Sequence, residues 1–158
     1  MKTIIFLASF FCLTNSYAQD SVKMKSIDSL VSVILHSDLY TQRDSTVQDY
    51  PALGLYMKTY ITVMRYDKEL KKYSQIVKGT RKEDQVVKHS IGGSAFYYDQ
   101  NKLIKVEEFM IEDGKENKME WYYADDKCFY HSFKSDKAED RADFLLKLSN
   151  TILKQMGS

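Results

Sequence analysis

The sequence predicts an α+β fold: an antiparallel β-meander of five or six strands with N- and C-terminal helices packed on one face. Three observations predict it. Apolar residues recur at three- and four-residue spacing near both ends, which marks helices. Between them the period falls to two in segments rich in β-branched and aromatic residues. The connections in that middle region are too short for parallel crossovers, so the strands pair antiparallel. Composition agrees, since 158 residues that are 44% apolar, with one Pro and 6 Gly, describe a globular chain of single-domain size.

Residues 1–18 read as a secretory signal peptide. Lys2 supplies the positive end, Ile4 to Leu13 the apolar run, and Ser16-Tyr17-Ala18 puts small residues at the third and first positions before the cut. That run is about ten residues, half of the roughly 20 a membrane span needs. Residues 19–158 then form the single mature domain, exported to a periplasm or the exterior, with no membrane insertion once the signal is gone. Cleavage removes Lys2 and Cys12, which leaves 22 basic and 22 acidic residues and a lone Cys128. The mature domain has no internal disulfide, and its zero net charge gives no electrostatic case for nucleic acid.

Asp20 or Ser21 can cap a first helix, whose face carries Met24, Ile27, Leu30, Val31, Ile34 and Leu35. Tyr40 to Gly54 reads as a connector holding the sole Pro51. Strands are expected at Tyr56–Tyr66, Leu70–Val77, Val86–Ile91 (ended by Gly92-Gly93), Ala95–Tyr98, Leu103–Glu112, Lys118–Ala124 and Cys128–Phe133. Gln100-Asn101, Asp113-Gly114 and Asp125-Asp126 supply turn chemistry. The last helix begins with Asp136 and Glu139 in capping-box spacing. It carries Ala138, Ala142, Leu145, Leu146, Ile152, Leu153 and Met156 on one stripe and stops at Gly157.

FYYDQNKLIKV (Phe96–Val106) aligns with WYYADDKCFYH (Trp121–His131) at an offset of 25, and Tyr66-Asp67-Lys68-Glu69-Leu70 echoes the same shape. The SYAQ ending of the signal, the leading helix and these hairpins resemble small exported proteins of Bacteroidota of unassigned function. The helix-plus-meander layout is similar to the PepSY and β-lactamase-inhibitor-protein-like superfamily. The resemblance implies the architecture only, because no diagnostic motif anchors a functional residue.

No phosphate loop, dinucleotide fingerprint, zinc-protease helix or nucleophile elbow occurs, and nothing in the sequence calls for a cofactor or a metal. Cys128 and His131 lie three apart on one strand, so regular alternation sends them to opposite faces. Tyrosine is abundant at 12 residues and suits a half-exposed binding surface. A five-residue loop at Asp113–Asn117 would set Phe109 opposite Trp121 and Ile111 opposite Met119. One face then carries Phe96, Tyr98, Leu103, Phe109, Ile111, Met119, Trp121, Tyr123, Cys128 and Tyr130, with Lys105 and Glu107 as polar intruders. The other carries Tyr97, Ile104, Val106, Glu108, Met110, Glu120, Tyr122, Phe129, His131 and Phe133. A two-residue Asp-Gly turn would instead move Trp121 and Tyr123 to this second group. A turn centred on Asp125-Asp126 puts Glu120 opposite His131. The candidate ligand or partner site is therefore Tyr97, Glu108, Glu120, Tyr122 and His131. The expected function is non-enzymatic binding of a protein or small ligand, as a monomer or weak dimer, through an aromatic sheet face or an edge strand. An inhibitor or immunity role falls in that class. The competing expectations are a hydrolase using His131 or His89 with nearby carboxylates, and a structural or envelope-assembly factor.

Overall fold

The structure, a computed structural model, describes residues 3–83, 86–112 and 114–156, with side chains from Gln19 onward apart from those of residues 83 and 86. The chain divides into two compact units, residues 1–36 and 37–158. The first is one helix, α1 (Thr3–His36). It begins well before Asp20 and runs through residues 18 and 19 without interruption, because no Pro or Gly breaks it. Among the described residues no helix is long and apolar enough to cross a membrane.

The second unit is a sheet and a helix. Seven strands are described: β1 (Tyr40–Tyr50), β2 (Leu55–Tyr66), β3 (Glu69–Glu83), β4 (Val86–Asp99), β5 (Lys102–Glu112), β6 (Lys115–Ala124) and β7 (Lys127–His131). They lie side by side in chain order, every neighbour antiparallel. The α+β meander is as the sequence predicts, but with seven strands rather than five or six. The added strand is β1, expected as a connector because its YTQRDSTVQDY sequence has no apolar alternation. All of its residues are exposed, so no buried face imposes such a pattern. A short 3₁₀ turn at Pro51–Leu53 closes the first hairpin.

Gly92-Gly93 does not end a strand. Both residues sit inside β4, which fuses two segments expected to be separate. A Cβ on Gly93 would stand 2.6 Å from the Gln75 carbonyl oxygen and 3.0 Å from the Phe109 ring. The glycine is there for close approach, not for a bend.

Helix α2 (Ala138–Met156) lies on one face of the sheet. Ser135, rather than Asp136, serves its N-terminus: the Ser135 Oγ accepts from the Lys137 N–H at 3.2 Å. Gly157, the expected stop, lies outside the described residues. Ala142, Leu145 and Ile152 of α2 join Val63, Leu70, Phe96, Tyr98, Leu103, Val106, Trp121 and Tyr123 in one core. Burying a side chain such as Leu145 contributes about 1.5–3 kcal/mol. The Tyr123 hydroxyl donates to the Ala142 carbonyl at 3.0 Å, tying helix to sheet.

Three hairpins share one irregularity. Pairing slips by one residue after Asp67-Lys68, after Gln100-Asn101 and after Asp125-Asp126, leaving Lys71, Ile104 and Phe129 unopposed. Each bulge falls three residues beyond its turn. Gln100, Asn101, Asp125 and Asp126 all have φ between 51° and 59°, the left-handed pair a tight two-residue turn requires. The repeat seen in the sequence is thus a repeated bulged hairpin. The β5–β6 connection has no bulge. It is a two-residue turn closed by Glu112 and Lys115, with Gly114 at φ 74°, in place of the expected five-residue loop.

Candidate functional site

Turn length and bulges together decide which residues share a face. The two-residue turn sets Trp121 opposite Val106 and Glu120 opposite Glu107. The Ile104 bulge then puts Leu103 and Val106 on the same side. Consequently Val106, Glu108 and Met110 lie on the α2 side, while Lys105 and Glu107, expected as intruders in the core, turn to the other side. Past the Phe129 bulge, His131 faces Trp121 rather than Glu120. Glu120 instead pairs with Ser132, whose N–H donates to the Glu120 carbonyl at 2.9 Å. The expected Glu120–His131 pair is overturned by that single extra residue.

The five candidate residues therefore separate into two groups. Tyr97, Glu120 and Tyr122 stand on the side away from α2, around Lys105. The Lys105 Nζ lies 3.0 Å from Glu107 and 2.9 Å from Glu120. It also sits 4.8 Å from the centre of the Tyr122 ring, and the Tyr97 hydroxyl donates to Glu107 at 3.1 Å. Tyr97 and Tyr122 are buried, at 2% and 4% exposed, so neither offers its ring as a wet surface. Burial, with the Glu107 charge added, pushes the Tyr97 phenol well above its ordinary range. The sequence reading missed Lys105 as the centre of this network. Its signal was a lysine inside an otherwise apolar alternation.

Glu108 and His131 lie on the α2 side, in two different places. Glu108 receives both the Nε and the Nη2 of Arg141, a forked pair that pins α2 to β5. Beside this pair opens a hollow of about 700 Å³. Val77, Phe109, Met110, Met119, Trp121 and Phe133 form its apolar lining, and Lys137 and Arg141 stand with Glu108 among its charged residues. Gly92 and Gly93 also line it.

His131 lines a second hollow, of about 480 Å³, with Cys128, Glu139 and Asp143. The alternation argument that separates Cys128 from His131 fails here, since Cys128 faces Tyr123 and His131 faces Trp121 across the bulge. The two are nonetheless not a nucleophile and its base. The Cys128 Sγ donates to the Tyr130 carbonyl at 3.3 Å, and the His131 Nδ1 is 2.9 Å from the Phe133 carbonyl. Burial, reinforced by Asp143, pushes the Cys128 thiol up, away from the thiolate that nucleophilic chemistry needs. His89 is exposed and meets Thr80 at 3.3 Å. Among the described residues no group of three His, Cys, Asp or Glu side chains could hold a metal ion.

Comparison of the chain with family models, curated proteins and solved structures finds no match. The similarity to the PepSY and β-lactamase-inhibitor-protein-like layout accordingly rests on the sequence pattern alone.

Proposed function

We propose that this chain is an exported, non-enzymatic binding protein whose ligand is a small amphipathic anion held in the hollow beside Arg141. The carrying observation is the composition of that hollow: an aromatic and Met-rich lining with Lys137 and Arg141 set against Glu108, one positive charge in excess. Apolar lining with a few convergent polar groups is the usual make-up of a ligand pocket. Methionine adapts to the shape of a flexible apolar body. The hydrolase reading has less support, because His131 bonds the Phe133 carbonyl rather than the Cys128 thiol, and the His89–Thr80 contact is exposed.

Trp121 is the sole tryptophan and lines the hollow, so its emission reports on occupancy. Titration with decanoate should change that emission saturably, and decylamine should bind about tenfold more weakly, the effect of one adverse charge. If neither compound perturbs Trp121, the hollow is not a ligand site. If both bind equally, the anion preference is wrong.

A further inference from the structure

The outer edge of the sheet is β1, eleven residues long and exposed at every position, with Val47 at 55% and Tyr50 at 41%. Its backbone phase follows from the ladder. The Lys82 N–H donates to the Gly54 carbonyl at 2.9 Å, so even-numbered positions of β2 turn their backbone groups toward β3 and odd-numbered ones toward β1. The β1 partners of those odd positions are even-numbered, as in Tyr50 with Leu55 and Gln48 with Met57. Thr41, Arg43, Ser45, Val47 and Asp49 are then left with outward N–H and C=O groups. A second observation agrees: the Ser45 N–H is not in the ladder but takes the carboxylate of Asp44 at 2.7 Å. An edge of this length is a template for another strand.

We infer that β1 pairs with β1 of a second copy of this chain, antiparallel about a twofold axis through Thr46, to join two seven-stranded sheets into one. The choice of partner comes from charge. Twofold pairing requires facing residues to share a side of the sheet, which permits only registers shifted in steps of two residues. Centred on Asp44, the register opposes two aspartates; centred on Ser45, it sets Arg43 opposite Val47 and Asp49 opposite Thr41. Centred on Thr46, it places Arg43 opposite Asp49 twice, once on each side of the axis. Gln42 then faces Tyr50, Asp44 faces Gln48, and Ser45 faces Val47. Arg43 and Asp49 are also among the residues with outward backbone groups, so they would form a hydrogen-bonded pair of the new ladder; the ladder admits each of these registers, and charge selects the one centred on Thr46. The Asp44 carboxylate must leave the Ser45 amide for the pairing to close. That competition, and the narrowness of a single-strand contact, make the dimer weak and concentration-dependent.

Sedimentation velocity on the naturally processed protein, from about 10 μM to about 500 μM, reads the association. The wild type should shift from monomer toward dimer across that range. Arg43→Asp should weaken dimerisation about tenfold or more, because two attractive pairs become two repulsive ones. Asp49→Arg should do the same, and the double exchange Arg43→Asp/Asp49→Arg should restore association. Far-UV circular dichroism checks that each variant, altered only at exposed positions, keeps its fold. A wild type that stays monomeric throughout, a single variant that associates normally, or a double variant that fails to recover would each overturn the inference.

Discussion

At Glu69 a single carboxylate joins two hairpins. It bonds Lys71 at 2.9 Å, Lys71 reaches Asp99 at 3.3 Å, and the backbone N–H groups of Gln100 and Asn101 also point at the Glu69 carboxylate. Burial raises the Glu69 carboxyl, but the Lys71 bond and charge together with the two amides outweigh it, and the net shift is downward. A folded value below the unfolded one means the stabilisation is present above the ordinary carboxylate range and is lost as pH falls through the folded value. Glu69→Gln should therefore cost about 1 kcal/mol at pH 7. The gap to the wild type should close as pH drops from about 5 toward 3. Urea titrations at both ends of that window measure it; a gap that does not narrow would mean the carboxylate is not the active partner.

Among the elements, β4 shows what a glycine can do without bending a strand. A Cβ at Gly93 meets backbone at 2.6 Å, whereas one at Gly92 meets nothing nearer than the Phe109 carbonyl at 3.5 Å. Gly93→Ala should lose about 2 kcal/mol or more by overpacking. Gly92→Ala should be neutral or gain a few tenths by restricting the unfolded chain. Thermal melts of the two variants compare them directly. The same strand shows the reach of sequence reasoning. Helix α2, the turn at Gln100-Asn101 and the burial of Trp121 are legible, since each depends on local chemistry or on a stripe. The faces of β5 and β7 are not, because period two assumes an unbroken ladder and the bulges at Ile104 and Phe129 involve no glycine or proline. The one trace of them was the 25-residue repeat. That repeat reflects Lys71, Ile104 and Phe129 lying at the same distance from their turns. Division of the candidate site follows directly: Glu108 and His131 were assigned to the side of Tyr97, Glu120 and Tyr122 by counting through residues that do not count.

For the whole molecule, the export reading makes a definite demand. The protein recovered from its natural compartment should begin at Gln19, lighter than the full chain by residues 1–18, and intact mass measures this. A protein retaining Met1 would remove the exported part of the proposed function while leaving the hollow as it is. The even balance of charge says nothing about β1, whose polar sequence carries no apolar alternation for the same reason that makes it available: every one of its residues is exposed.

Strand order that equals chain order has a consequence for how the sheet is made. Every hairpin closes between neighbours in sequence, so little loop entropy opposes each step and the meander can zip from β1 onward as the chain emerges. Helix α2 comes after all seven strands. Until it docks, Tyr98, Val106, Trp121 and Tyr123, all essentially inaccessible in the finished fold, form an adhesive apolar surface on a sheet already assembled. A sheet that pairs before α2 docks thus carries its greatest risk of aggregation in that interval, and closing it falls to the nineteen residues of α2.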